Sequence, residues 1–80
     1  MKDALSYIVR SIVDEPKKVA VDEKDEDGMV QFTITVAKED MGKVIGKEGK
    51  VIRAIRNVMK IPAIKQNKRI NITLTDPEVL

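Results

Sequence analysis

Three of the chain's four glycines fall inside one eight-residue stretch, Gly42-Lys43-Val44-Ile45-Gly46-Lys47-Glu48-Gly49. Glycine is disfavoured inside helices because it gives up the most backbone freedom on ordering. Yet helical periodicity flanks the stretch: Met41, Val44 and Ile45 fit one short helix, and Val51, Ile52, Ile55, Val58 and Met59 fit a second. The pattern predicts a short helix, a tight turn at Gly46 to Gly49, and a helix from Lys50 to about Lys60 that Pro62 ends. Glycine at such a turn permits positive φ and lets another backbone come within contact distance. The second helix then presents its free N–H groups and positive dipole end to the loop, which suits a phosphate.

The remaining elements follow from periodicity. Leu5, Ile8, Val9 and Ile12 share one helical face between Asp3 and Val13, and Pro16 stops that helix. Val19 and Val21 alternate within a short strand from Lys18 to Glu23. The acidic tract Asp22 to Gly28 reads as a solvated hairpin tip, because Asp27-Gly28 precedes the strict alternation of Val30, Phe32, Ile34 and Val36. Ile70, Ile72 and Leu74 alternate in a last strand. The order is α-β-β-α-α-β, a single α+β domain over residues 1–80 with a three-stranded sheet and three helices packed on one face.

Composition removes whole classes of chemistry. With no histidine and no cysteine, imidazole acid/base catalysis, thiol nucleophiles, disulfides and zinc ligation by these residues are excluded, and an enzyme is not expected. Tyr7 and Phe32 are the only aromatic residues, which argues against nucleic-acid modules that stack bases on sheet-borne rings. The net charge of +2 conceals a polarised chain. Residues 1–40 hold 6 Lys/Arg and 10 Asp/Glu, whereas residues 41–80 hold 9 and 3. Every one of those nine basic residues lies between Lys43 and Arg69, against the single acid Glu48, and such asymmetry points to a polyanion partner.

No metal or cofactor is expected. Glu23, Asp25, Asp27 and Gly28 imitate the start of a calcium-binding loop, but the twelfth position is Ile34 rather than a bidentate glutamate. Glu39 and Asp40 read as first-turn helix residues favoured by the dipole, not as a catalytic dyad. Neither a secretory signal nor a membrane-spanning run is visible, so a cytoplasmic location is expected.

The glycine stretch fails two phosphate-binding motifs. The interval from Gly42 to Gly46 is one residue too short for a P-loop and Lys47 is followed by Glu48, while Val44 stands where the dinucleotide fingerprint needs glycine. What Val44-Ile45-Gly46-Lys47-Glu48-Gly49-Lys50-Val51-Ile52 does resemble is the core of the K-homology (KH) domain: a hydrophobic pair, Gly-x-x-Gly, then a helix. The element order is similar to the type II KH fold, and the stretch MGKVIGKEGKVIRAIRNVMK resembles the bacterial single-domain KH proteins of the KhpA family.

That resemblance implies a non-enzymatic protein that binds short single-stranded RNA, as an RNA chaperone or post-transcriptional regulator. It implies that Gly46, Lys47, Glu48 and Gly49 clamp the sugar-phosphate backbone of about four nucleotides. Val44, Ile45 and Ile52 would then contribute to or support an aliphatic groove for the bases, with part of the Val30 to Val36 strand as its other wall. Lys43, Lys47, Lys50, Arg53, Arg56 and Lys60 supply the electrostatic attraction, with Lys50, Arg53, Arg56 and Lys60 on one side of their helix, while Glu48 moderates affinity. A homodimer, or a heterodimer with a Jag-like KH protein (KhpB), is the implied assembly. The alternative is a protein-interaction or dimerisation module with a KH-like fold and weak or no RNA binding.

Overall fold

The computed structural model describes residues 1–76. Helix α1 spans Lys2–Ile12, followed by strands β1 (Ala20–Glu26) and β2 (Met29–Thr35), helices α2 (Met41–Ile45) and α3 (Lys50–Lys65), and strand β3 (Arg69–Thr75). One-turn 3₁₀ segments at Pro16–Lys18, Lys38–Asp40 and Lys47–Gly49 connect them. The sheet order is β1-β2-β3, with β1 antiparallel and β3 parallel to the central β2. A parallel pair needs a long crossover, and α2 and α3 provide it.

Register explains the two faces of the sheet. Val21, Ile34 and Leu74 align across the three strands, as do Phe32 with Ile72 and Val30 with Ile70. These side chains pack against Leu5 and Val9 of α1, Val44 of α2, and Ile55 and Met59 of α3 in one continuous core. All three helices therefore cover the same face, as the α-β-β-α-α-β order predicts. The opposite face is polar. Asn71 Nδ2 donates to Gln31 Oε1 at 2.8 Å, and Gln31 Nε2 donates to Thr73 Oγ1 at 3.0 Å, tying β3 to β2 there.

Two expectations from the sequence need correction. The acidic tract is not a loop: Asp22 to Glu26 pair with β2, and the turn is Asp27-Gly28 alone. Both turn residues have positive φ, 52° and 81°, as a type I′ hairpin demands. Charged side chains are tolerated in β1 because it is an edge strand whose outer residues meet water.

Pro62 does not end the second long helix, which runs to Lys65. The carbonyl that Pro62 deprives of an intrahelical donor belongs to Val58, whose exposed position admits water. Ala63 beyond it is buried, so continuing the helix extends the core face. The end is instead set by Asn67, at φ 58°, where Lys68 N–H bonds Ala63 O at 2.8 Å and Asn67 N–H bonds Ile64 O at 3.0 Å. This is a Schellman closure with asparagine in the left-handed position.

Asp40 is the one buried charged residue among the described residues, 1% exposed. Its Oδ1 accepts from Asp14 N–H at 3.1 Å and its Oδ2 from Glu15 N–H at 3.0 Å. It thus fastens the turn after α1 to the start of α2, rather than merely complementing a helix dipole. Hydrogen bonds to a charged group are worth roughly 1.5–3 kcal/mol each.

Candidate nucleic-acid interface

The loop between α2 and α3 is a strained turn closed by backbone bonds. Gly46 N–H returns to Gly42 O at 2.8 Å and Gly49 N–H to Gly46 O at 3.1 Å. Gly46 sits at φ 76°, ψ 172°, a region only glycine occupies readily. A Cβ there would lie 2.3 Å from Val51 Cγ2 and 2.8 Å from Val51 N, so side-chain space excludes any other residue as well. Gly49, at φ 74°, is demanded by its conformation alone, because a Cβ on it would meet nothing within 4 Å. Glu48 between them is also left-handed, at φ 58°. Lys47 and Glu48 are held out into solvent, and the first turn of α3 receives no side-chain cap.

The other expected residues separate on inspection. Ile45 is exposed and Ile52 half-buried, close in sequence to either side of the turn. Val44 is fully buried and could serve a groove only from beneath. The Val30 to Val36 strand cannot form a groove wall: β2 is the central strand, and Val30, Phe32 and Ile34 lie under the helices. The edge strand on that side of β2 is β3, which offers half-buried Ile70 and Leu74. Periodicity locates strands but not their order in the sheet, and that is why the wrong wall was expected.

Charge divides the basic residues further. Lys43 donates to the Asp14 carboxylate, and that hydrogen bond raises its amine above the ordinary lysine pKa against the opposing effect of desolvation, with the Asp14 and Asp40 charges adding to the rise. Lys43 is therefore committed within the fold. Lys47, Lys50, Arg53, Arg56 and Lys60 are exposed and form no ion pair with a described residue. Arg53, Arg56 and Lys60 recur at i, i+3 and i+7 on one flank of α3. Lys50 departs from them, lining instead a groove of about 340 Å³ between α3 and α1. That groove is walled by Ile8 and Ile12 of α1 and by Val51, Ala54 and Val58 of α3.

Three features escaped the sequence reading: the Asp40 anchor, the Lys43–Asp14 pair, and a second hollow at the far end of α3 formed with β3 and the β1–β2 hairpin. The first two join residues 25 to 29 positions apart, for which local pattern gives no signal. Among the described residues, no group of three acidic side chains is placed to hold a metal ion, and no helix is long and apolar enough to cross a membrane.

Comparison with known proteins gives the chain its family. Residues 2–74 match the family described as "KhpA/KhpB, KH domain". The chain is 45% identical over 74 residues to the RNA-binding protein KhpA of Clostridium acetobutylicum, covering 92% of this chain and 99% of that protein. It is 38% identical over 76 residues to RNA-binding protein KhpA of Chlamydia caviae, covering 95% and 97%. Against RNA-binding protein KhpA of Halalkalibacterium halodurans the identity is 37% over 76 residues, covering 95% and 100%. A nearly full-length match of this kind, to a fold whose glycine turn has the geometry just described, settles the kinship: the chain belongs to the KhpA/KhpB KH-domain family, a family of binding proteins rather than enzymes.

Proposed function

We propose that residues 1–80 act as a single KH domain that binds single-stranded RNA. The carrying observation is the Gly46 to Gly49 turn, which displays Lys47 and a start of α3 that no side chain caps, beside a line of cations that form no ion pair with a described residue. The phosphate backbone would lie across Gly46, Lys47, Glu48 and Gly49, held by the main-chain N–H groups of Lys47 and Glu48, since those of Gly46 and Gly49 close the turn, and by the Lys47 ammonium. Bases would rest on Ile45 and Ile52, with Val44 supporting them from the core, and Arg53, Arg56 and Lys60 would attract further phosphates. Lys50, at the first turn of α3, can reach phosphate only from the α1 side. Glu48 opposes the phosphate charge and keeps affinity moderate. That the relatives are RNA-binding proteins supports RNA as the ligand.

The biological role follows as an RNA chaperone or post-transcriptional regulator in the bacterial cytoplasm. One short clamp makes few contacts, so pairing with a second copy or with a KhpB-type protein supplies the needed avidity. The apolar groove between α1 and α3 is surface of the kind such pairing covers. It also favours the second reading, in which the chain is an interaction module with weak or no RNA binding.

Replacing Lys47 and Glu48 together with aspartate separates these readings. RNA affinity should collapse while circular dichroism and the unfolding midpoint stay close to the parent chain. Unchanged RNA affinity would sink the clamp.

A further inference from the structure

The far end of α3 carries a second hollow, of about 310 Å³, opposite the glycine loop along the same helix. Met29, Ala63, Ile64 and Ile70 form its apolar walls, and Lys60, Lys68 and Arg69 stand at its rim. The hollow is built on regular structure. The closure at Asn67 turns the chain back so that Ile70 faces the last turns of α3, Met29 pairs with Arg69 in register, and Arg69 N–H bonds Gly28 O at 2.9 Å. Ile64 is 73% exposed and Met29 39%, so apolar side chains line an open site.

Its charge is as informative as its shape. Lys68 is held by Asp25, whereas Lys60 and Arg69 form no ion pair with a described residue. An apolar recess beside two cations with no ion-pair partner among the described residues matches a ligand with one flat apolar face and one anionic group. Arg53, Arg56 and Lys60 run along α3 from the loop to this rim, and Gly49 to Ala63 spans about 21 Å at 1.5 Å per residue. A nucleotide of an extended strand has the required chemistry, and the cation line gives it a path.

We propose that this hollow holds a nucleotide of the same RNA strand, beyond the four that a KH clamp engages. The inference rests on the RNA-binding reading and extends it: the chain reads RNA over the length of α3, anchored at both ends. Bases would be selected at the second site by contact with Met29, Ile64 and Ile70, and its phosphate by Lys60 and Arg69.

The test compares oligoadenylates of four and eight nucleotides by fluorescence anisotropy at fixed salt. An eight-mer offers five registers for a four-nucleotide clamp, so a fivefold gain is statistical. The second site should raise the gain to roughly fiftyfold, as one further phosphate and base contact would. Ile64→Ser, and separately Arg69→Gln, should return the gain to about fivefold without changing affinity for the four-mer. A parent-chain gain of only fivefold overturns the second site, as does an undiminished gain in both variants. Loss of self-association in Ile64→Ser with the RNA gain intact would assign the hollow to protein contact, and also overturns it. Failure of the parent chain to bind either oligomer would remove the clamp reading itself, a distinguishable result.

Discussion

The two exposed flanks of α3 make a natural comparison, because they share sixteen residues and one buried face. Arg53, Arg56 and Lys60 line one flank, and Ala54, Val58 and Ile61 line the other, with Ile55, Met59 and Ala63 turned into the core between them. The first flank attracts through charge and weakens as salt screens it. The second attracts by giving up contact with water: Val58 is 50% exposed and Ile61 58%, and salt does not screen that effect. One helix can thus engage a polyanion and an apolar partner at once, and ionic strength should tune the two separately.

The largest perturbation should break both flanks together. Gly46→Ala forces a Cβ into Val51, whose neighbours begin α3, and places a side chain in a glycine-only conformation. Strain and overpacking together should cost about 3 kcal/mol or more in denaturant unfolding, with RNA binding lost as well. Gly49→Ala, with open space around it, should cost about 1–2 kcal/mol. Equal costs would mean that the Val51 contact does not constrain the turn.

Reversing Arg53, Arg56 and Lys60 to glutamate attacks one flank. RNA affinity should fall roughly a hundredfold while the unfolding midpoint barely moves, since all three are exposed and none pairs with a described residue. In the parent chain, three phosphate contacts predict roughly a twentyfold loss between 50 and 200 mM salt. A salt-independent affinity would remove this flank from the interface.

Val58→Asp with Ile61→Asp attacks the other flank. Self-association by analytical ultracentrifugation should weaken at least about tenfold, each substitution replacing an apolar side chain worth roughly 1.5–3 kcal/mol when covered. Affinity for a four-nucleotide RNA should be unchanged. Equal damage to both readouts would show that the flanks are not independent.

The smallest effect concerns Lys43. Its raised pKa means that the charged Lys43 contributes stability that is in place as pH approaches the ordinary lysine value of 10.5 from the neutral range and fades as pH rises through the higher folded value. An NMR titration of its side-chain nitrogen should show the value falling in Asp14→Asn. Lys43→Met should weaken RNA binding less than Arg56→Met, because Lys43 is already paired. The reverse order would mean the pair opens on binding.

Much of this molecule was legible before its structure. The alternation from Val30 to Val36, the Asp27-Gly28 step and the Gly-Lys-Glu-Gly turn each force local geometry, and the element order follows from them. What local pattern could not carry was long-range. Nothing near Pro62 reveals that its helix continues, because the reason lies in the burial of Ala63 and the exposure of Val58. Nothing near Val30 reveals that its strand is central, because β3 joins it from beyond two helices. Among the site residues, Gly46 and Gly49 were visible for their backbone needs. The pairing of Lys43, the burial of Val44 and the displacement of Lys50 depend on which elements meet.

Strand β1 limits how copies of this chain can assemble. Its outer edge runs through Asp22, Glu23, Lys24, Asp25 and Glu26, four acids to one base. Two such edges meeting would set carboxylates against carboxylates, a common defence against growth of the sheet from one molecule to the next. Oligomers that join through β1 are therefore disfavoured, and those that join through the helical layer keep the strand edges apart. Copies brought to high local concentration can then meet through the helical layer without seeding fibrils.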